Sequence, residues 1–200
     1  LEIISQDIDK DIKDIDVLTD EERNQLFHWG NETDFQYKNR TSTVLQLFEK
    51  QVKRIPNKPA VIYESEVLTY LQLEEYANGI AEKIQKIGIN KNDIVPIIIE
   101  RSIEILVVEL AIMKCGAIFC PIDPLWPSER KKCILQEINP KVIMVHYSEK
   151  NNKIQDNSFK VLEINLSKLE RKSERVRNYS NINNNMYLIY TSGTTNKPKG

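Results

Sequence analysis

The residues best equipped for chemistry stand at the end of the sequence, in YTSGTTNKPKG, residues 190–200. Thr191, Ser192, Thr194 and Thr195 supply hydroxyls, and Lys197 and Lys199 bring positive charge. Gly193 and Gly200 let backbone N–H groups approach a ligand closely. Together these are the donors a polyphosphate needs. The segment follows an apolar, β-prone run, MYLIY (186–190). In parallel α/β sheets ligands collect where strands end at their carboxyl termini, and this loop is expected to leave such an end. On composition alone the same residues also describe a solvated Ser/Thr/Gly turn. They are not a Walker A loop, because counting on from Gly193 the second glycine of that pattern falls on Pro198. No G-x-G-x-x-G occurs either.

Other chemistries find little support. Cys115, Cys120 and Cys133 sit among apolar neighbours at spacings that fit no zinc or redox motif, and His28 and His146 are remote from each other. The three cysteines are expected to be reduced core thiols, with no metal site. Lys and Arg number 28 against 29 Asp and Glu, for a net charge of -1. That balance gives no general attraction for nucleic acid or anionic membranes. The longest apolar stretch, 103–113, carries Glu104 and Glu109 and falls short of the roughly 20 residues of a membrane span. The acidic start, LEIISQDIDKD, is no signal peptide, and a cytoplasmic location is expected.

The elements that would position the last loop are legible from periodicity. Residues 1–40 read as a linker with one short helix, opened by a T-x-x-E capping box at Thr19 and Glu22 and stopped at Gly30. Val44, Leu47, Phe48 and Val52 then share a helical face that Pro56 ends. AVIY (60–63) and VLTY (67–70) predict a strand pair. Thr69 and Gln72 cap a helix whose face is Leu73, Ala77, Ile80, Ala81, Ile84 and Ile87, closed by Gly88. Strands IVPIII (94–99), AIFC (117–120) and KVIMV (141–145) alternate with helices over 102–115 and 128–138. Such alternation predicts an α/β fold around a mostly parallel sheet. Pro96 cannot donate to a ladder and argues for an edge or bulge there. Beyond Val145 an Asn-rich stretch holds one strand, KVLEI (160–164), and the mixed-charge run KLERKSERVR, expected to be a solvated helix face.

At ten of eleven positions YTSGTTNKPKG resembles the phosphate-binding signature of adenylate-forming enzymes, Y-T-S-G-[ST]-T-G-x-P-K-G. The departure is Asn196 for Gly, and Asn is the residue after glycine best able to take a positive φ. LTYLQL (68–73) is similar to the family's L-T-Y-x-E-L, with Gln72 for Glu. MKCGAIFCPIDP (113–124) is similar to K-A-G-x-A-Y-x-P-[IL]-D, with Cys115 for Ala and Phe119 for Tyr, and WPSER (126–130) also fits. The resemblance covers about residues 41–200. The preceding VLTDEERNQLFHWGNET resembles the connector between condensation and adenylation domains of nonribosomal peptide synthetases.

The resemblance implies part of the large N-terminal subdomain of an adenylation domain at 41–200, after an interdomain linker at 1–40. It implies amino-acid activation: a carboxylate attacks the α-phosphorus of ATP, pyrophosphate leaves, and the acyl group passes to phosphopantetheine on a peptidyl carrier domain. Amino acid, condensation domain and carrier domain are the implied partners. Carried over position by position, Thr191, Ser192, Gly193, Thr194, Thr195, Lys199 and Gly200 are the phosphate-loop residues. Lys197 falls on a variable position, while Asp123 and Arg130 match motifs but are expected to serve as a turn residue and a surface residue. No catalytic side chain is assigned. The family's amino-acid pocket, nucleoside contacts, Mg2+ carboxylate and catalytic Lys are expected beyond Gly200, so this stretch alone is expected to be inactive. An acyl- or aryl-CoA ligase and a non-catalytic fragment remain the alternatives.

Overall fold

The computed structural model describes residues 11, 18–31, 41–146, 159–174, 176, 179–191 and 200. The chain divides into two units, Leu1–Arg40 and Thr41–Gly200. In the first, helix α1 spans Asp20–Asn31. Its capping box is the expected one: the Thr19 N–H donates to Glu22 Oε2 at 2.9 Å and the Glu22 N–H to Thr19 Oγ1 at 3.2 Å. The Thr19 backbone N–H, and then its hydroxyl, hold the Glu22 carboxyl below its ordinary pKa. The helix runs one residue past Gly30, because Gly30 does not take the left-handed conformation that would end it.

The second unit opens with α2 (Val44–Arg54), capped reciprocally by Thr43 and Gln46. Leu45 and Val52 are its buried residues; Val44, expected on the inner face, is exposed at the first helical position. β1 (Pro59–Tyr63) and β2 (Glu66–Thr69) form an antiparallel hairpin through Glu64, which takes φ 52° in the turn. Thr69 and Gln72 cap α3 (Tyr70–Ile87), and Gly88 ends it in the left-handed region at φ 92°. Leu73, Ala77, Ile80, Ala81 and Ile84 on its predicted face are buried.

Next come β3 (Ile94–Ile98), α4 (Ile103–Lys114), β4 (Ile118–Pro121), α5 (Ser128–Ile138), β5 (Val142–His146) and β6 (Lys160–Ile164). The four strands are parallel in the order β4-β3-β5-β6. Each face is buried, as a parallel sheet requires. Val95, Ile97, Ile99, Val142 and Met144 join the core with α3 and α4, whereas Ile98, Cys120, Ile122 and Ile143 pack with Ile134 and Leu135 of α5. The sheet is thus sandwiched, and the α/β class holds. No helix among the described residues is long and apolar enough to cross a membrane.

Pro96 lies in central β3 rather than at an edge or bulge. The carbonyls of Asp93 and Ile97 accept from Ile118 and Ile122 on the β4 side, so the alternate residue Pro96 turns its bare nitrogen toward β5. On that side the recorded pairing starts only at Ile97 with Met144, and the missing donor costs no ladder bond. The same logic corrects the expected strand at 186–190. Among the described residues 186–190 pair with β4 through an isolated parallel bridge, Phe119 with Tyr187: Phe119 N–H donates to Met186 O at 3.2 Å and Leu188 N–H to Phe119 O at 3.0 Å. The next β4 residue facing that way is Pro121, which has no N–H to extend the ladder.

The mixed-charge run is not a helix over its described residues. After a 3-10 turn at Leu166–Lys168 it lies as a strap along α3. Lys172 N–H donates to Glu75 O at 3.1 Å, and Asn78 Nδ2 to Lys172 O at 3.2 Å. Lys172 also pairs with Glu82, which Lys86 contacts at 2.7 Å, and these two cations hold the Glu82 carboxyl down at about 2. Gly79 is what admits the strap, since a Cβ there would lie 2.5 Å from the Glu170 carbonyl oxygen. Gly79→Ala should therefore push the strap outward and cost about 1–3 kcal/mol. Urea denaturation measures this; a neutral substitution would mean the strap yields without loss.

Candidate phosphate site at the carboxyl end of the sheet

Chain direction reverses between β3 and β5: from β3 the path goes to β4 on one side and then to β5 on the other. The crevice beyond the carboxyl ends of strands at such a reversal is where open α/β sheets bind ligands. At this end His146 Nε2 of β5 lies 3.8 Å from Glu104 Oε1 in the first turn of α4. The β4 end continues into a turn in which Asp123 Oδ1 accepts the Leu125 N–H at 2.8 Å. That is a turn role for Asp123, as expected. Arg130 sits with its guanidinium carbon 3.9 Å from the centre of the Trp126 ring, a cation–π contact that braces the turn.

Residues 186–190 run parallel to β4 along its outer edge, so their carboxyl end points the same way. The described ends of the final loop, Thr191 and Gly200, both meet Tyr190. Thr191 follows it in the chain, and a Cβ on Gly200 would come 2.8 Å from the Tyr190 ring. Ser192, Gly193, Thr194, Thr195 and Lys199 lie outside the described residues, as does Asn196.

Tyr190 itself escaped the sequence reading as a site residue. It is 5% exposed and packs with Ile98, Cys120, Ile134, Leu135 and Ile143 between the sheet and α5. Glu137, near the end of α5, lies close enough for its charge to act on the phenol. Burial and the neighbouring Glu137 charge push its phenol up to about 12, so it remains protonated at neutral pH. The alternation of Leu188 and Tyr190 against exposed Tyr187 and Ile189 was the available signal. The nearness of Glu137 had none, because it brings together two elements remote in sequence.

The thiols offer no nucleophile in the core. Burial pushes Cys115 up to about 12 and Cys120 to about 11, and both are free. Cys133 is free too but exposed on α5, contrary to the expected core position. Among the described residues no group of three or more His, Cys, Asp or Glu could hold a metal ion.

Residues 48–200 match the family of AMP-binding enzymes. Across its whole length the chain is similar to bacitracin synthase 3 of Bacillus licheniformis, 34% identical over 201 residues, and spans 3% of that protein. The fold is similar to the N-terminal subdomain of NpsA from Klebsiella oxytoca, with a TM-score of 0.67 and 25% identity over 80% of this chain and 41% of that one. It is also similar to NpsA-ThdA, an artificially fused adenylation-PCP di-domain from the same organism. There the TM-score is 0.70, with 25% identity over 82% of this chain and 32% of the other.

Proposed function

Because the chain belongs to the AMP-binding enzyme family, we propose that it is part of an amino-acid-activating domain of a nonribosomal peptide synthetase, in which an amino-acid carboxylate attacks the α-phosphorus of ATP to give an aminoacyl-adenylate and pyrophosphate. The observation that carries this reading is the run from Met186 to Thr191, which leaves the carboxyl end of a parallel sheet straight into a signature rich in hydroxyls, glycines and lysines. In this reading Thr191, Ser192, Thr194 and Thr195 donate hydroxyl and backbone hydrogen bonds to the β- and γ-phosphates. Gly193 and Gly200 allow close backbone approach, and Lys199 neutralises charge that grows on the departing pyrophosphate. Such a loop works by orientation and electrostatics, and forms no covalent bond. A magnesium ion, when bound, would add further positive charge at the phosphates; no donor set for it occurs among the described residues.

Residues 41–200 are then the N-terminal part of an adenylation domain, and 1–40 the connector from a condensation domain. The acyl group would pass to phosphopantetheine on a peptidyl carrier domain, a partner supported by the likeness to a protein that is itself an adenylation-PCP fusion.

The test is exchange of labelled pyrophosphate into ATP by the full-length protein, run over a pool of amino acids and, separately, over aliphatic and aryl acids with coenzyme A. The proposal expects exchange with one amino acid or a few. Thioester formation on coenzyme A from an aryl or aliphatic acid, with no amino-acid exchange, would move the protein to the CoA ligases. Silence in both arms would leave a non-catalytic module.

A further inference from the structure

We propose that the outer edge of residues 186–190 is a docking edge for one further β-strand, apolar at alternate positions, supplied by the rest of the polypeptide that carries this chain. The inference rests on the reading of the chain as part of an adenylation domain. The bridge to β4 fixes which way each backbone group points. Met186 O and Leu188 N–H are taken up by Phe119. In an extended segment alternate residues face opposite sides, so the N–H and C=O groups of Tyr187 and Ile189 point away from β4. Among the described residues neither makes a backbone hydrogen bond. The side chains divide in the same way. On one face Leu188 and Tyr190 pack with Ile134 and Leu135 of α5. On the other, Tyr187 and Ile189 are 52% and 54% exposed, although Phe119 beside them packs against the core shared by α3 and α4. The Phe119 and Tyr187 rings meet with centroids 5.9 Å apart, which carries apolar surface from that core out to the edge. The edge thus offers the N–H and C=O groups of two residues together with two large apolar side chains. A strand matches all of these, because its ladder satisfies the backbone groups while its alternate side chains cover the apolar ones. A charged peptide has nothing to pair with, since 186–190 carries no ionised side chain. Length decides the source. The chain accounts for 41% of the NpsA subdomain whose fold it shares, and the counterpart of that subdomain's other part is what the proposed domain has to lay beside Tyr187 and Ile189.

Amide hydrogen exchange on the full-length protein, read residue by residue, tests this, with sedimentation and pyrophosphate exchange on the same preparation. The Tyr187 and Ile189 amides should exchange about 10²-fold more slowly than free amides, like Leu188, whose N–H is bonded to Phe119 O. That protection should persist on dilution, in a monomeric protein. Ile189→Lys should lower the melting temperature by several degrees, because it sets a charge against the covering strand. An unchanged melting temperature would count against the edge, and should the variant fail to fold, exchange on the wild type decides. Free exchange at Tyr187 and Ile189 overturns the docking edge. Protection that appears only as dimers form gives the edge to a second copy, and overturns its assignment to the protein's own chain. Protected amides in a monomer that exchanges no pyrophosphate with any amino acid keep the edge and overturn the adenylation reading. Pyrophosphate exchange with unprotected amides does the reverse.

Discussion

Lys199→Ala should cut amino-acid-dependent pyrophosphate exchange by about 10²-fold, the loss typical when one preorganised donor to developing charge is removed. The reasoning is electrostatic. As the α-phosphorus is attacked, negative charge accumulates on the pyrophosphate, and a fixed ammonium lowers the energy of that state more than the energy of bound ATP. The loss should therefore fall on kcat as well as on ATP affinity. Melting should not change, because charged loop residues carry little of a domain's stability. Exchange kinetics and thermal melting on the same preparations check both halves. Unchanged exchange removes Lys199 from the site, and a collapsed fold makes it a structural residue.

The second large effect concerns a buried charge. Lys114 ends α4 with its side chain 1% exposed, its Nζ 2.8 Å from Glu74 Oε1 of α3 and 3.7 Å from Glu49 Oε1 of α2. One buried cation therefore joins three helices on one face of the sheet. Burying these charges is costly, and the pairing offsets the cost only while all partners are present. Lys114→Ala would leave the Glu74 carboxylate buried without its cation, and should destabilise the fold by about 3–5 kcal/mol. The double change Lys114→Met with Glu74→Leu replaces the pair by apolar volume, and should recover most of that loss. Urea denaturation of the two variants separates the explanations. Should the double variant be as unstable as the single one, packing of the Lys114 stem, and not the orphaned charge, is what matters.

How much of this was legible in the sequence varies with the range of the interaction. Capping boxes at Thr19, Thr43 and Thr69 are local, and of these Thr19–Glu22 and Thr69–Gln72 could be read directly. Apart from 186–190, strand positions followed from apolar runs and fell within a residue of those observed. Pro96 and Pro121 were harder, because whether a missing N–H matters depends on which neighbour it faces, a property of the sheet order. The strap at 169–174 was read as a helix face because its charges alternate, yet its hydrogen bonds go to α3, and only Gly79 on that helix admits it. At the candidate site the loop could be found from its own residues. Its support could not: Tyr190 joins Ile134 and Leu135 of α5 in the core only once the edge segment lies beside β4 and α5 packs on the sheet.

The most direct test of the central claim follows an oxygen atom. The full-length protein is given its amino acid with an 18O-labelled carboxylate, ATP and a thiol acceptor, and the phosphate products are examined by mass spectrometry. If the carboxylate attacks the α-phosphorus, one labelled oxygen stays on that phosphorus when the acyl group departs to the thiol, so the label appears in AMP and the pyrophosphate is unlabelled. Label in inorganic phosphate, with ADP as the nucleotide product, would contradict adenylate formation and assign the loop to a different transfer.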